Sequence, residues 1–214
     1  MFTAGVFDAV AFLGLDKVFV ANMTGNVVLL GLSTVSDQLN FDGPFVALLA
    51  FLAGAFCAGR LRRGSGDPLV HFRRTLLIES ALLVPAIVLA IGYDGEQLPR
   101  LLILAAMGAA MGARNETMRE IGQPEIVTTA QTLRIATIAG ELARGRGVDE
   151  VARRRIAAVL ALLGGAVVGA VLVVETELVW ALSFLLAAHL IVGVVLARRA
   201  RASAGPPGAG KLAG

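Results

Sequence analysis

Two short polar stretches between apolar residues carry the side chains best suited to bind a solute. The first follows Val18-Phe19-Val20 and the second follows Ile126-Val127-Thr128, and each leads into an apolar helical run. The pattern predicts a broken, re-entrant element, a short β-type run followed by a half-helix, at residues 18–32 and again at residues 126–140. The candidate solute-binding residues of the two stretches are Asn22, Met23, Thr24, Gly25, Asn26, Thr129, Gln131, Thr132 and Arg134.

A half-helix that begins inside a membrane presents free backbone N–H groups and the positive end of its dipole. Two such ends that meet favour an anion or the acceptor end of a polar solute. Arg134, one turn into the second half-helix, strengthens this preference, and Gly25 lets a bound group approach the backbone closely. The alternative is that these polar groups only cap two buried half-helices, with Asn22 or Thr24 as the N-cap of the first.

Three further residues are candidates for carrying a coupled proton or ion, namely Asp8, Asn115 and Glu79. Asp8 lies inside an apolar run, where a carboxylate is costly enough to suggest a function. The alternative for Asp8 is an ion pair with Arg114 or Arg134. Glu79 lies nearer a helix end, so its side chain is expected to reach the cytoplasmic interface. His189, isolated on an apolar helix, is expected to form an interhelical hydrogen bond.

The composition places all of these residues in a membrane protein. Hydrophobic residues make up 57% of the 214-residue chain, charged residues only 16%, and the mean hydropathy is +0.78. Because a spanning helix needs about 20 mostly apolar residues, the chain has room for about six. The expected spans are residues 1–15, 44–61, 75–93, 101–118, 156–174 and 178–197. The fold class is therefore an all-α protein inserted in the lipid bilayer.

The basic residues indicate how the helices are oriented. Arginines crowd the loops at residues 60–74 and 141–155, whereas residues 33–43 contain no Lys or Arg. Since positively charged loops stay on the cytoplasmic side, the first two segments are expected inside and the third outside. The C terminus then lies in the cytoplasm, and residues 198–214, basic and then rich in Gly and Pro, are expected to form a disordered tail.

The two halves of the chain repeat each other. Gly5-x-x-Asp8 aligns with Gly112-x-x-Asn115, which makes Asn115 the counterpart of Asp8, and residues 51–59 align with residues 162–170. The span at 44–61 is expected to run inward and its counterpart at 156–174 outward, so the halves are inverted. We expect two inverted three-helix repeats, residues 1–93 and 94–197, each with one broken element, in a single membrane domain.

This architecture favours a small secondary transporter for an anionic or polar solute, because many such transporters bind their substrate between inverted repeats with discontinuous helices. Proton coupling through Asp8 is an option. A channel built on the same re-entrant pair, or a non-transporting scaffold or partner subunit, is the alternative. A chain this small is also expected to form a homodimer.

The sequence contains no motif of a hydrolytic or metal enzyme: no His-Glu-x-x-His, no Gly-x-Ser-x-Gly and no pair of Asp-rich motifs,. We therefore expect no catalytic residue, no metal site and no cofactor. The basic loops are short and lack interleaved aromatic residues, which argues against nucleic-acid binding.

Several of these stretches are similar to a known family. Gly5-Val-Phe-Asp8, the string Val18 to Gly31 with its Ala-Asn-Met-Thr-Gly-Asn core, and Met111 to Asn115 resemble the bacterial YoaK family, a domain-of-unknown-function family of multi-pass inner-membrane proteins. The resemblance covers nearly the whole chain and implies about six helices in a bacterial inner membrane, without implying a substrate. Where family members tend to have Thr-Gly-Thr, this chain has Thr132-Leu133-Arg134, which suggests either a ligand of different charge or the loss of the site in this chain.

Overall fold

The computed structural model describes residues 1–62, 68–120, 131–144 and 149–203, with the side chains at 62, 131–134, 142 and 199–203 left out. Within these ranges the chain forms helices and no strand. The helices are α1 (Phe2–Gly14), α2 (Met23–Ser33), α3 (Asp42–Arg62), α4 (Pro68–Ala90), α5 (Gln97–Glu120), α6 (Gln131–Ala143), α7 (Glu150–Glu175) and α8 (Leu178–Ser203).

Each of the six predicted spans coincides with a helix. Over the described residues, three helices are long and apolar enough to cross a membrane, at Asp42–Leu61, Glu150–Glu175 and Leu178–Arg198. Helices α1 and α2 are apolar but shorter, with 13 and 11 residues. Helices α4 and α5 are long, with 23 and 24 residues, but carry more polar side chains.

The first helix ends in a left-handed turn. Asp16 and Lys17 both have positive φ, 73° and 60°, and the Lys17 N–H donates to the Phe12 carbonyl at 3.0 Å. This is the hydrogen bond by which a left-handed residue after a helix satisfies a terminal carbonyl. The chain then runs without regular structure from residue 18 to 22 before α2 begins.

Helices α1 and α7 pack with their backbones in contact because glycines lie between them. A Cβ on Gly165 would lie 1.9 Å from the Phe2 carbonyl oxygen, and one on Gly5 would lie 2.1 Å from the Leu162 oxygen. Gly169 meets Val6 in the same way, at 2.9 Å. Gly165 contacts Phe2 and Gly169 contacts Val6, so a contact four residues later in α7 lies four residues later in α1. The two helices therefore run parallel.

Helices α3 and α5 form a second pair of the same kind. A Cβ on Gly54 or on Gly112 would lie 2.0 Å from the carbonyl oxygen of Ala109 or Phe51, respectively, and Gly108 faces Ala47 at 2.8 Å. These helices also run parallel. The small residues Gly54, Gly108 and Gly112 thus allow the two backbones to approach closely,.

The remaining long helices complete the bundle. Helix α4 packs against α5 and α8, and α8 also contacts α1. The core between them is apolar and fully enclosed, with Phe7, Leu83, Leu104, Met107 and Leu185 each at 0% or close to 0% exposure. Pro85 is accommodated within α4 without ending it.

Two sequence predictions are wrong in detail. Residues 18–20 do not form a strand, because their backbone groups bond to side chains of α1 and α2 and no neighbouring strand is present in the described chain. The tail does not begin at residue 198, since α8 continues to Ser203. Residues 204–214 and 126–130, which hold the rest of the predicted tail and the start of the second broken element, lie outside the described residues.

Candidate functional site: an arginine paired with a buried glutamate and histidine

The break between α1 and α2 is held by the carboxylate of Asp8. Its Oδ1 accepts hydrogen bonds from the N–H groups of Val20 at 2.9 Å and Ala21 at 2.7 Å, with a longer one from Asn22 at 3.4 Å. Hydrogen bonds to a charged group are worth roughly 1.5–3 kcal/mol each, and buried backbone N–H groups need such partners. Asp8 therefore satisfies the unwound backbone. The ion pair with Arg114, one of the alternatives for Asp8, does not form; Arg114 pairs with Glu79 instead.

Asn26 fixes the other side of the same break. Its Oδ1 accepts from the Phe19 N–H at 2.9 Å and its Nδ2 donates to the Phe19 carbonyl at 2.6 Å, with the side chain 0% exposed. Gly25 lies under the Phe19 ring, where a Cβ would come within 2.6 Å of a ring carbon. A solute that bonded the Asn26 amide would first have to displace Phe19.

The other predicted solute ligands of the first stretch differ in exposure. Asn22 is the residue before α2 but its side chain makes no capping hydrogen bond, and Thr24 is exposed, whereas Met23 is buried. In the second stretch, Thr129 lies outside the described residues. Gln131, Thr132 and Arg134 lie in the first turn of α6, but their side chains are not described. Solute binding by these residues stays a prediction.

A different set of ionisable side chains meets between α4, α5 and α8. Arg114 forms a two-pronged ion pair with Glu79, in which Nε donates to Oε1 at 2.9 Å and Nη2 donates to Oε2. His189 Nε2 lies 2.7 Å from the same Oε2. Glu79 and His189 are each 1% exposed by side chain, and Arg114 is 14% exposed. The prediction that Glu79 reaches the interface is wrong, and the interhelical hydrogen bond of His189 is confirmed.

His189 has a defined tautomer. Its Nδ1 lies within hydrogen-bond distance of the Leu185 carbonyl, which can only accept, so Nδ1 carries a proton,. The Nε2 atom faces an Arg114 donor and a Glu79 acceptor at once. When Nε2 is unprotonated it accepts from Arg114, and when it is protonated it donates to Glu79. The ring is held edge-on against Phe7, with centroids 5.9 Å apart.

Arg114 and His189 line a cavity of about 170 Å³. Most of its walls are apolar, and its polar groups come from Thr3, Arg114, Asn115 and His189. Arg114 Nη1 also donates to the Thr3 hydroxyl of α1. The residues that line the cavity are Met1, Thr3, Ala4, Phe72, Leu76, Met111, Arg114, Asn115, Met118, Ala188, His189 and Val192.

The cavity lies toward the basic-loop side of the bundle. Its lining comes from the first turn of α1, the first turns of α4, the last turns of α5 and the middle of α8, and the Arg-rich segment at residues 60–74 leads into this end of α4. Two coupling candidates, Glu79 and Asn115, fall in or beside it, whereas Asp8 holds the α1–α2 break. Within the described ranges, no three His, Cys, Asp or Glu side chains come together as a metal site.

Sequence reasoning missed Arg114 as the centre of this network. Its pattern carries a usable signal, since Arg114 lies within the predicted span 101–118, and a charged side chain inside a span usually faces the bundle interior or pairs with another charge,. The identity of its partners, however, depends on how α4 and α8 are rotated, which the sequence does not specify.

Comparison with known proteins places the chain in a family. A family model described as "Protein of unknown function (DUF1275)" matches residues 1–196. The "UPF0700 transmembrane protein YoaK" of Bacillus subtilis (strain 168) is 27% identical over 137 residues, which are 64% of this chain and 61% of that protein. The match thus spans less than two thirds of that relative, and no solved structure matches the chain. With a family model that covers nearly its whole length and helices able to span a bilayer, the chain belongs to the DUF1275 family of membrane proteins, whose function is unknown.

Proposed function

We propose that the protein is a small secondary transporter that binds an anionic or polar solute in the cavity beside Arg114. The observation that carries this proposal is an arginine, 14% exposed and paired with the buried Glu79 and His189, on the wall of a cavity of about 170 Å³ in an apolar helix bundle. Ionisable groups at membrane depth are costly and usually mark a substrate, ion or proton path.

The cost of the network supports a role beyond stability. Removing an ion pair from water costs several kcal/mol per ion, and replacement of a buried pair by apolar residues of similar volume is often neutral or stabilising. A bundle that only needed to fold would therefore do as well with apolar side chains at positions 79, 114 and 189. A scaffold or partner subunit gives no reason for an arginine on a cavity wall.

The inverted-repeat hypothesis is supported by the two glycine-mediated helix pairs. Under the alignment of the halves, Gly5 corresponds to Gly112 and Leu162 to Phe51, and the two backbone contacts are Gly5 with Leu162 and Gly112 with Phe51. The first predicted span of each repeat thus packs against the second predicted span of the other repeat. Two halves that are related by a twofold axis make each contact twice, once from each half, as these two contacts do. We propose that α2 and α6 are the paired broken elements.

The orientation follows the basic loops. We propose an inner-membrane protein whose C terminus is cytoplasmic, so that the cavity lies on the cytoplasmic side. A polar clasp closes the opposite end: Asp16 Oδ2 binds Arg100 Nη1 at 2.7 Å and also the Asn40 amide, while Gln97 donates to Asp42 at 2.9 Å. A cavity on the cytoplasmic side and closed polar contacts at the opposite end correspond to the inward-facing state of an alternating-access cycle.

The test is the aqueous accessibility of the cavity. Cys57 is exposed and would react, so Cys57→Ala is the background for a single cysteine at Ala188 on the cavity wall. The matched control is a cysteine at Val171, 54% exposed on α7 and expected to face lipid. A membrane-impermeant thiol reagent should label Ala188→Cys from the cytoplasmic face of inside-out vesicles and leave Val171→Cys unreacted.

Each other outcome favours a different function. If Ala188→Cys stays unlabelled from both faces, the cavity is dry and the transporter proposal fails in favour of a scaffold. If the cysteine is labelled from both faces at similar rates and the protein gives unitary currents in planar bilayers, the protein is a channel and the proposal is refuted.

A further inference from the structure

We infer that the cavity binds a small aliphatic monocarboxylate, which replaces Glu79 as the counter-ion of Arg114 while Glu79 takes up the coupled proton. This inference rests on the transport function proposed above, and assigns to the same site a substrate class and a coupling residue. It places coupling at Glu79, away from Asp8.

The size and lining of the cavity limit the solute. Its volume of about 170 Å³ is close to that of an apolar cavity of about 150 Å³ that holds benzene, which has six heavy atoms. The walls include Phe72, Leu76, Met111 and Val192, against a single cationic side chain, Arg114. A short aliphatic chain with one carboxylate matches both the apolar walls and the two-pronged geometry of a guanidinium. A dicarboxylate or phosphate would leave negative charge against apolar residues.

The donors of the guanidinium are nearly all engaged. Of its five N–H groups, two donate to Glu79, one donates to the Thr3 hydroxyl and one faces His189, so a solute carboxylate can form a two-pronged pair only by displacing at least one of these partners,. Two ionised carboxylates around one guanidinium, away from water, would repel each other strongly. A proton on Glu79 removes the conflict, because the neutral acid releases Arg114 and the solute restores its charge balance. One proton and one monoanion therefore bind together with no change in net charge.

The proton route runs through His189. A proton that reaches Nε2 turns the ring into a donor toward Glu79 Oε2, 2.7 Å away, and breaks the hydrogen bond that Nε2 accepts from Arg114. Transfer to Oε2 leaves Glu79 neutral and His189 ready to accept from Arg114 again. His189 also lines the cavity, so the atom that passes the proton lies beside the space the solute fills. His189 is a positioning and relay residue, and Glu79 is the site of the proton.

Few charges compete for this role among the described residues. The groups whose charge acts on Glu79 are Arg114 from α5 and His189 from α8. Asp8, on α1, is engaged by the amides of the α1–α2 break. His71, on α4 itself, lies beside the Thr117 hydroxyl.

The experiment is calorimetric titration of the purified full chain in detergent with sodium butyrate, in buffers of different ionisation enthalpy. The dependence of the heat on the buffer gives the number of protons taken up. We expect the uptake of about one proton per butyrate bound. The apparent affinity for butyrate should fall about tenfold for each unit by which the pH is raised, over the range in which Glu79 is ionised. Infrared difference spectra should show a protonated carboxylic acid formed as butyrate binds.

Two variants locate the effect. Glu79→Gln, which resembles the neutral acid, should bind butyrate with no proton uptake and with an affinity that changes less than about twofold per pH unit. Arg114→Gln should lose butyrate binding. If Glu79→Gln does not fold, the infrared measurement on the wild-type protein decides, because a protonated carboxyl must appear there.

Several results would overturn the inference. Butyrate binding without proton uptake, or without the carboxylic acid band, would contradict the proposal that butyrate replaces Glu79 as the counter-ion of Arg114. Proton uptake that persists in Glu79→Gln assigns the coupling to another group. Absence of butyrate binding in a wild-type protein whose Ala188→Cys variant is labelled from water rejects the substrate class and leaves the proposed transport function standing. A cysteine that stays unlabelled instead rejects that function.

Discussion

Two adjacent glycines of α7 provide a sharp test of the helix packing. Gly165 faces the backbone of α1, where a Cβ would lie 1.9 Å from the Phe2 carbonyl oxygen, whereas a Cβ on Gly164 meets nothing within 4 Å. Gly165→Ala and Gly164→Ala therefore make the same chemical change, one residue apart on one helix, in opposite surroundings. Any general effect of alanine on helix propensity or expression is common to both variants.

The expected magnitudes follow from these distances. Alanine at Gly164 adds a methyl group to open space and removes a flexible residue from a helix, which stabilises by up to about 1 kcal/mol. Alanine at Gly165 must push α1 and α7 apart by more than an ångström, because the obstacle is backbone and cannot turn away. Overpacking of this kind costs about 1–3 kcal/mol. Because the propensity gain is common to both variants, they should differ in unfolding free energy by the overpacking cost alone, roughly 1–3 kcal/mol.

The assay is reversible unfolding of the purified variants in mixed micelles of dodecylmaltoside and increasing sodium dodecyl sulfate, followed by circular dichroism and by Trp180 fluorescence. Gly165→Ala should unfold at a lower fraction of dodecyl sulfate than the wild-type protein, and Gly164→Ala at an equal or higher fraction. Equal midpoints for the two variants would show that α1 and α7 do not pack through their backbones. The equivalent substitution Gly54→Ala, at 2.0 Å from Ala109, should behave like Gly165→Ala.

Two further predictions concern the α1–α2 break. Asn26→Ala leaves the N–H and C=O groups of Phe19 without partners and should lower the unfolding free energy by about 2–4 kcal/mol in the same assay. The control Thr24→Ala, at an exposed side chain, should change the unfolding free energy by less than about 0.5 kcal/mol. Equal effects of the two substitutions would contradict the role of the Asn26 amide. Asp8→Asn keeps an oxygen that can accept a hydrogen bond from the Ala21 N–H, so most of the protein should remain folded in the membrane, whereas Asp8→Ala should lose most of the folded protein. The abundance of each variant is measured by fluorescence size-exclusion chromatography. Similar abundance of the two variants would show that the Asp8 side chain does not support the α1–α2 break.

The helices and their close contacts could be predicted because both depend on local patterns. Runs of about 20 apolar residues and glycines spaced four apart specify a spanning helix and a face that admits another backbone. Gly108 and Gly112 show this directly, since both lie on α5 at carbonyl groups of α3. The irregular residues 18–20 were harder to predict. Their apolar, β-branched composition is typical of a strand, but a strand needs a partner and here the partners are two side chains, Asp8 and Asn26.

The network of Glu79, Arg114 and His189 could not be predicted because its members come from three helices that are far apart in the chain. Each residue alone has an ordinary interpretation: a glutamate near an interface, an arginine at a helix end, a histidine on an apolar helix. Only the rotation of α4 and α8 about α5 decides whether they meet, and that rotation is the sum of many small packing preferences.

The buried polar groups of this chain therefore fall into two classes with different consequences. Asp8 and Asn26 bond to backbone that has been unwound, so their removal leaves N–H and C=O groups that nothing else satisfies,. Glu79 and Arg114 bond mainly to each other, and removal of both as a pair leaves no backbone group stranded. The first class is required by the fold, whereas the second is dispensable to it. Joint replacement of Glu79, Arg114 and His189 by apolar residues should thus preserve folding and abolish solute binding, which separates the two roles within one bundle.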